Sequence, residues 1–501
     1  MNNFTEIIKS INSFLPEISV IITLLLCLIA DLIIRKKSPV VTIIAIAGLL
    51  VSAYFVYMQS AIQESLFSGM LVIDPFAVFF KYLFILSSII ILIFFEFSNE
   101  IKESTHKNEY SYLILSLVLG SFLMASSVNL LMMYLSLELA SLTSYILAGY
   151  TKSEKKSSES SMKYLIYGAA SSGIMLYGMS LLYGFTGSLD IYEISRYLSN
   201  NPTPNAFIYI TMIMIAAGFG YKTSSVPFHF WTPDVYEGSP TPVTAFLAVT
   251  SSAAGFSIIT RFFLTTFLGS TQIVDGAFSI IAGIHWQDII IVISVASMIV
   301  GNFVAIWQKS LKRLLGYSSI AQGGYMLAGL VVADKIGLTA MLIYLSAYLF
   351  MNLGAFFVTI LIVNKLGTDD IEKMKGLGYR MPFIGVAMSV FMLALSGIPA
   401  TVGFIGKFYL VTALMKPGAG FLWFAIVLML NSVVSLFFYL KVVKNMFLER
   451  AENTDELPGI KFSFQSYIVL ILLLIPTIFF GLYFGPIVKL AESSAVFFGI
   501  K

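Results

Sequence analysis

Charged residues, cysteine and histidine are scarce in this chain of 501 residues. Charged residues make up 11% of it, and it has one cysteine, Cys27, and three histidines, His106, His229 and His285. A single cysteine cannot form a disulfide within the chain, and the histidines are too scattered in sequence to suggest a metal or iron–sulfur site. The chain also has no GK[ST] phosphate-binding loop and no visible Ser/His/Asp or cysteine nucleophile arrangement. The sequence therefore predicts no cofactor, metal or covalent chemistry in this chain.

Hydrophobic residues, by contrast, make up 58% of the chain, and its mean hydropathy is +0.89. No soluble core needs so much apolar surface, so the composition predicts an all-α polytopic membrane protein. At roughly 20 apolar residues per span, the sequence predicts about fourteen transmembrane helices. The predicted spans are 16–34, 40–60, 74–97, 110–126, 128–149, 161–184, 205–222, 241–266, 287–307, 313–332, 336–364, 381–414, 420–447 and 464–488.

Lysine and arginine are concentrated in alternate loops, which predicts the orientation in the membrane. The rich loops follow the first, third, fifth, ninth, eleventh and thirteenth spans. Their cations are Arg35, Lys36, Lys37, Lys102, Lys107, Lys152, Lys155, Lys156, Lys309, Lys312, Arg313, Lys365, Lys373, Lys375, Arg380, Lys444, Arg450 and Lys461. The other loops hold few cations, such as Arg196, Lys335 and Lys416. The bias predicts that these rich loops are cytoplasmic and that both termini lie on the outer side.

Two of the apolar spans have a break and a lysine beside it. Lys222 is followed by a polar run that contains Pro227, and a second break with Pro399 precedes Lys407. Each break falls in the fourth helix of a five-helix block, and blocks with an odd number of helices run in opposite directions. Paired broken helices are typical of inverted-repeat transporters. The predicted organisation is a three-helix segment over 1–109, inverted repeats over 110–266 and 275–448, and a transmembrane helix over 449–501.

The charges predicted to lie inside the membrane are Glu138, Lys222 and Lys407, with His229 close to the first break. Such charges are functional by default, and opposite charge makes their burial tolerable. Separating Glu138 from Lys222 would favour release of the lysine proton, which is the physical basis of a charge-gated relay. His229 suits a proton relay at neutral pH or a hydrogen bond at the broken helix end. A Glu–Lys pair that only fixes helix packing is the structural alternative.

Other charges lie nearer the ends of the predicted helices. Lys81 is about two turns into its span, so its side chain is expected to reach the interface along its aliphatic stem. Asp74, at the start of the same span, is expected at the interface as well.

Several segments together resemble subunit N of bacterial respiratory complex I, the NADH–quinone oxidoreductase. The longest is the stretch over residues 220–243, GYKTSSVPFHFWTPDVYEGSPTPV. Shorter ones are 136–139, 311–322, 351–356 and 397–408. The resemblance covers nearly the whole chain. It implies an antiporter-like subunit of fourteen helices that moves protons while other subunits oxidise NADH and reduce quinone.

The resemblance also implies roles for individual residues. Glu138 and Lys222 match the charge pair of the family, His229 its relay position and Lys407 its terminal lysine. Two positions depart from the family pattern. Ser252 stands where the family usually has a central lysine, and Gln322 stands where many relatives have histidine. Serine does not ionise at neutral pH, although its hydroxyl can order a water wire.

The implied partners are the antiporter-like subunit M, the small subunits K and J, and a peripheral redox arm with flavin and iron–sulfur clusters. The quinone is used by the complex and is not clearly bound by this chain. The implied location is the bacterial cytoplasmic membrane. Tyr236-Glu237-Gly238 and Lys407 favour subunit N over its sister subunits. Two alternatives stay open, namely a stand-alone Mrp-type cation–proton antiporter and a passive scaffold, which Ser252 and Gln322 suggest.

Overall fold

The computed structural model describes residues 2–34, 38–102, 107–151, 154–274, 277–416, 420–449 and 460–500. The predicted loop cations Arg35, Lys36, Lys37, Lys152 and Arg450, and His106, lie outside these residues.

Helices form most of the described chain. They are α1 (Asn2–Ser13), α2 (Leu15–Ile34), α3 (Val40–Gln59), α4 (Pro75–Phe95), α5 (Asn99–Lys102), α6 (Glu109–Ser126), α7 (Leu130–Ala148), α8 (Lys155–Thr186), α9 (Ile191–Asn200), α10 (Asn205–Lys222), α11 (Thr232–Gly238), α12 (Thr241–Phe246), α13 (Ser252–Thr266), α14 (Trp286–Ile306), α15 (Leu311–Val331), α16 (Lys335–Leu366), α17 (Leu377–Arg380), α18 (Pro382–Ser396), α19 (Val402–Leu414), α20 (Leu422–Phe447), α21 (Phe464–Leu482) and α22 (Gly485–Ser494). A π-helical segment, Leu247–Ser251, joins α12 to α13, and Ile371–Met374 forms a 3₁₀ turn.

Within the described residues, eleven helices are long and apolar enough to cross a membrane. They are α2, α3, α4, α6, α7, α8, the continuous α12–α13, α14, α16, α20 and α21. The other three predicted spans correspond to α10, α15 and the pair α18–α19. Helices α18 and α19 are the two pieces of one interrupted span, and they have 15 and 13 residues. The prediction of a mostly helical membrane protein is confirmed.

The structure adds two features to the predicted spans. The chain is not purely helical, because β1 (Glu64–Leu66) pairs with β2 (Leu71–Ile73), and β3 (Leu268–Val274) pairs with β4 (Ala277–Ile280). Both hairpins are antiparallel and lie in connections, where hydropathy alone gives no strand signal. The last predicted span, 464–488, ends early at Leu482, since Pro486 begins a new helix, α22, as proline favours the first helical turn.

Burial divides the helices into a centre and a periphery. The 18-residue apolar windows of α12–α13 and α16 are 100% and 83% buried, whereas those of α2, α3, α20 and α21 are 22–33% buried. The outer helices therefore present apolar side chains outwards, as helices that face lipid do. The two central helices carry the segments that position the polar groups described below.

A buried ion pair ties the start of α4 and the C-terminal end of the chain to the central helix α13. Arg261 of α13 binds both carboxylate oxygens of Asp74, at 2.7 and 2.9 Å, and both side chains are completely buried. The backbone N–H groups of Ala77 and Phe498 also donate to Asp74, at 2.8 and 3.0 Å. Arg261 in addition donates from Nε to the carbonyl of Ala125. Asp74 caps the start of α4, at a helix end as predicted, and its carboxylate is bound by protein groups; its depth in the membrane stays a prediction.

Candidate functional site

The first break places a buried lysine against a central helix. Helix α10 ends at Lys222, whose side chain is 1% exposed, and α11 begins ten residues later, beyond Pro227, which lacks a backbone N–H. Gly255 of α13 permits the close approach. A Cβ added there would lie 3.2 Å from Lys222 Cγ and 2.9 Å from Thr223 Cγ2.

Lys222 and Glu138 are near one another without touching. The ammonium group donates to Ser141 Oγ at 3.4 Å, and Ser141 follows Glu138 by three residues on the same face of α7. No ion pair within 4.0 Å joins them among the described residues, and Glu138 Oε1 is buried there without a hydrogen-bond partner. Lys222 therefore binds the hydroxyl one turn along α7 from Glu138 rather than the carboxylate itself.

His229 lies in the same break, between α10 and α11. Its side chain is 7% exposed, and its Nδ1 has no hydrogen-bond partner in the described part of the chain. Its ring lies beside Phe230, with 4.5 Å between the centroids, and its carbonyl accepts from Thr232 N where α11 begins. The imidazole is thus buried next to the break with one ring nitrogen free to bind a proton or water.

A charged network holds the short helix after the break in place. Asp234 and Glu237 of α11 both accept from Arg313 of α15, at 2.5 and 3.2 Å. Lys163 and Lys156 of α8 bind the same two carboxylates, at 2.6 and 2.8 Å. The network anchors α11 to two long helices, so that the broken segment lies between rigid elements.

Ser252 lies where the π-helical segment passes into α13. Its hydroxyl donates to the carbonyl of Leu247, five residues earlier, at 3.1 Å. Two residues before it, Thr250 donates to Ser87 of α4 at 2.7 Å. π-Helical turns inside α-helices are rare and frequent at functional sites. The π-helical segment thus places the Thr250 hydroxyl in the buried centre of the bundle, next to the half-buried Ser252.

The second break supplies backbone acceptors for Lys407. Helix α18 ends at Ser396 because Gly397 takes a left-handed conformation, with φ +88°. The Lys407 ammonium donates to the carbonyls of Ser396 and Leu395, at 2.8 and 3.2 Å, and to Ser432 Oγ at 2.9 Å. The C-terminal end of a helix carries partial negative charge. This end stabilises the cation, and within the described residues no carboxylate lies within 4.0 Å of it.

Gln322 shares an acceptor with Lys407. Its amide donates to the carbonyl of Leu395 and to the Tyr439 hydroxyl, both at 3.0 Å, and its oxygen accepts from the Tyr344 hydroxyl. The network around this glutamine continues through Tyr439 to Ser318 at 2.5 Å. Pro399 lies in the exposed turn between α18 and α19. A set of hydroxyl groups therefore surrounds the non-ionising Gln322 and leads to the lysine.

Comparison with known proteins gives the family. The sequence profile described as NADH:quinone oxidoreductase/Mrp antiporter, transmembrane, matches residues 127–434. The NADH-quinone oxidoreductase subunit N 2 of Chloroherpeton thalassium is 47% identical over 495 residues, which cover 97% of this chain and 95% of that protein. The chain belongs to the subunit N family.

Solved structures agree with this family in fold. A chain of respiratory complex I from Thermus thermophilus is 27% identical, with a TM-score of 0.76, and the match covers 95% of this chain and 99% of that one. A chain of the Mrp complex from Dietzia is 20% identical, with a TM-score of 0.82, covering 97% of each chain. The second likeness shows the fold alone, so membership of the subunit N family follows from the sequence relatives.

In this member of the subunit N family, the structure corrects the predicted position of one charged side chain. Lys81 does not reach the interface. It is 1% exposed and binds Glu17 of α2 at 2.6 Å, with Gln59 of α3 accepting a second bond at 3.0 Å. The sequence offered a signal for this pair, since Glu17 directly precedes an apolar run and Lys81 interrupts one, but nothing in the sequence paired them. Arg261 was missed altogether, although it is the lone cation of an apolar span.

Proposed function

We propose that this chain is the proton-translocating membrane subunit of an NADH–quinone oxidoreductase, complex I. Other subunits oxidise NADH and reduce quinone, and this chain moves protons across the membrane. The observation that carries the proposal is that two broken helices each deliver a buried lysine, Lys222 and Lys407, in a chain of the subunit N family. Buried cations at helix breaks mark ion pathways in membrane proteins.

Lys222 and Glu138 form the first proton station of this proposal. When Glu138 is close, its negative charge stabilises the protonated lysine. When it moves away or becomes neutral, the desolvated ammonium loses that support and gives up a proton. The 3.4 Å contact to Ser141 supports this role, because a weak hydroxyl contact holds the lysine less tightly than a direct ion pair would. His229, beside the break, is the relay that exchanges this proton with water.

Lys407 is the second station, and it is held differently. Two carbonyls and Ser432 bind its ammonium, and none of these acceptors is a carboxylate. Between the stations, Ser252 and Gln322 carry hydroxyl and amide groups. These groups order a hydrogen-bonded path without taking the proton themselves. Tyr439 and Tyr344, bound to Gln322, extend that path towards Lys407.

The architecture belongs to the same proposal. We assign fourteen spans, with inverted repeats over 110–266 and 275–448, a three-helix segment over 1–109 and a C-terminal helix over 449–501. Support comes from the breaks at α10–α11 and α18–α19, each in the fourth position of its five-helix block. Pro227 and Pro399 occupy corresponding places in the two breaks. The Lys and Arg distribution supports cytoplasmic cation-rich loops and both termini on the outer side.

The proposed setting is the bacterial cytoplasmic membrane. The partners are the antiporter-like subunit M, the small subunits K and J and the peripheral redox arm. Flavin and iron–sulfur clusters are assigned to that arm, and quinone to the complex rather than to this chain. The names of the relatives, NADH-quinone oxidoreductase subunit N, support an assembly of this kind.

Two alternatives have observations in their favour. The fold likeness to a chain of an Mrp complex favours a stand-alone cation–proton antiporter. Copurification distinguishes it, because the complex I proposal requires a large assembly with flavin and iron–sulfur absorbance. Ser252 and Gln322 favour a passive scaffold that couples active neighbours. Changing Ser252→Lys tests the importance of that position through the rate and proton stoichiometry of the complex.

Alanine variants of the two lysines test the proposal directly. Lys222→Ala and Lys407→Ala are each expected to lower the number of protons moved per electron, measured in proteoliposomes with NADH as donor. Lys335→Ala, at an exposed lysine that begins α16, is the matched control and is expected to leave that ratio unchanged. Unchanged pumping by both test variants, in complexes that assemble fully, would mean that these lysines carry no protons.

A further inference from the structure

A second buried acid–base pair lies outside the two stations. Glu17 and Lys81 are each 1% exposed and 2.6 Å apart, and Lys81 also donates to Gln59. One carboxylate oxygen, Glu17 Oε2, is buried without a hydrogen-bond partner among the described residues. An ionised carboxylate in apolar surroundings normally has both oxygens satisfied. This oxygen is therefore placed to accept a proton or a water molecule.

The pair lies near one surface of the membrane. Glu17 is the third residue of α2, Gln59 the last of α3 and Lys81 the seventh of α4. Since each helix crosses the bilayer once, these three positions lie towards the same side, and Lys81 is about 9 Å from the start of its helix. The charge distribution of the loops makes this the outer side in the proposed topology.

Polar contacts join the pair to the exposed surface. Gln59 Nε2 donates to the carbonyl of Ser13 at 2.6 Å, and the Ser13 hydroxyl donates to Glu64 of β1 at 3.1 Å. Glu64 also binds Lys9, whose side chain is 73% exposed. The hairpin and α1, both missed from sequence, thus bring hydrophilic groups to the outer end of the cluster.

Other polar groups lead from the pair towards the bundle centre. Ser88 follows Lys81 by seven residues, two turns along α4, and therefore lies on the same side of that helix. Its buried hydroxyl has no hydrogen-bond partner in the described chain. Neighbouring Ser87 accepts from Thr250 in the π-helical segment that precedes Ser252. Lys81 and Ser88 are about 10 Å apart along α4, and proton transfer over this distance needs bridging water.

We propose that Glu17, Lys81 and Gln59 form an outlet through which this subunit releases protons to the outer side of the membrane. The inference rests on the proposed proton translocation and adds the exit to it. A proton arriving by way of Ser88 binds Glu17 Oε2 and forms an O–H bond. It then leaves to water near Ser13 and Glu64, and the carboxylate is restored. Lys81 keeps its own proton throughout and acts as the fixed counter-charge.

The competing explanation is that the pair only fastens α2, α3 and α4 together. A structural pair and a proton outlet differ in what removing the carboxylate does to an assembled complex. Glu17→Gln keeps the size and one oxygen of the side chain but cannot carry the proton. The matched control is Asp31→Asn, a half-buried carboxylate at the other end of α2 that accepts from Asn108 at 2.7 Å.

The test measures protons moved per electron with NADH in proteoliposomes, in complexes shown by native gels to be fully assembled. We expect Glu17→Gln to lower the ratio to the value of Lys222→Ala, and the double variant to be no lower than either single one. This non-additivity is the sign of one shared route. Asp31→Asn should keep the wild-type ratio.

Three results would count against the outlet. A wild-type ratio in Glu17→Gln, with a lowered ratio in Lys222→Ala, places the exit elsewhere and leaves the proposed function intact. A double variant lower than both single ones means separate routes and also overturns it. If Lys222→Ala itself keeps the wild-type ratio, the proposed function fails first.

A second variant covers the case in which Glu17→Gln does not assemble because Lys81 is left unpaired. Glu17→Gln with Lys81→Met has no buried charge and a similar volume, so it is expected to assemble. It should show the same lowered ratio, and a wild-type ratio would identify the pair as packing alone. Infrared difference spectra of the working complex give an independent readout. A protonated carboxyl band that is absent in Glu17→Gln is expected, and its persistence would overturn the assignment.

Discussion

Replacing Asp74 with asparagine is expected to destabilise this chain more than any exposed ion-pair variant. In the structure, Asp74 Oδ1 accepts from Ala77 N and Arg261, and Oδ2 accepts from Arg261 and Phe498 N. Asparagine has one carbonyl oxygen and one NH₂ group. It therefore loses the bonds of one oxygen and places a donor against donors. The change also leaves the Arg261 charge completely buried without a counter-ion.

The expected cost is large because both side chains of the pair are completely buried. Breaking a buried ion pair by removing one partner typically costs about 3–5 kcal/mol, since the remaining charge is uncompensated. Arg261 keeps its bond to the Ala125 carbonyl and its contacts with the rings of Phe76 and Phe497, at 5.0 and 5.5 Å from their centroids. These contacts compensate part of the charge, so we expect a loss of about 3 kcal/mol, the lower end of the range.

The assay is reversible unfolding of the purified chain in mixed detergent micelles, with the free energy of unfolding taken from the denaturant midpoint. A loss below about 1 kcal/mol would refute the reasoning, because it would mean that water or another anion reaches Arg261. The double change Asp74→Leu with Arg261→Met removes both charges. It should recover most of the stability, since apolar replacements of a buried pair are often neutral or stabilising. Glu449→Gln, which removes a partner of exposed Lys444, is the control with little expected effect.

Substitutions at two further positions probe the second break. Gly397→Ala puts a residue with a side chain at a position whose backbone is left-handed. The added Cβ would also lie 2.8 Å from Lys407 Cδ. The variant should lose about 1–2 kcal/mol of unfolding free energy and have a lower proton-to-electron ratio. An unchanged ratio would argue against a role for the carbonyls that bind Lys407. Gln322→Ala leaves the Tyr344 hydroxyl without its acceptor and should slow NADH-driven pumping. Gln322→His, which can still bind Tyr439, should retain most of the rate, and equal rates for both variants would contradict the role of the amide.

The apolar runs predicted the helices because hydropathy and length are local properties of the sequence. Lys222, Lys407 and the two breaks were identifiable for the same reason, since a charge or a proline inside an apolar run stands out. What holds those charges was not predictable. The sequence suggested a carboxylate partner for Lys222, and in the structure its ammonium group donates to Ser141 instead. Whether Glu138 gates that lysine stays a prediction.

Ion pairs between residues that are far apart in the chain could not be predicted from local sequence patterns. Asp74 and Arg261 are 187 residues apart, and Glu17 and Lys81 are brought together only by the packing of α2 against α3 and α4. The hairpins were missed because short amphipathic strands in connections have no hydropathy signal. The acceptors of Lys407 are backbone carbonyls, which every residue has, so no residue type could reveal them.

The binding of Lys407 by backbone carbonyls has an electrical consequence. In the proposed pathway the Lys407 site alternates between one positive charge and none, because the carbonyls that bind its ammonium do not titrate. Moving a full charge across the bilayer costs about 2.3 kcal/mol per 100 mV of membrane potential. Loading and unloading of Lys407 therefore respond to the voltage that the respiratory chain builds. As that voltage rises, the second break is therefore expected to oppose further pumping.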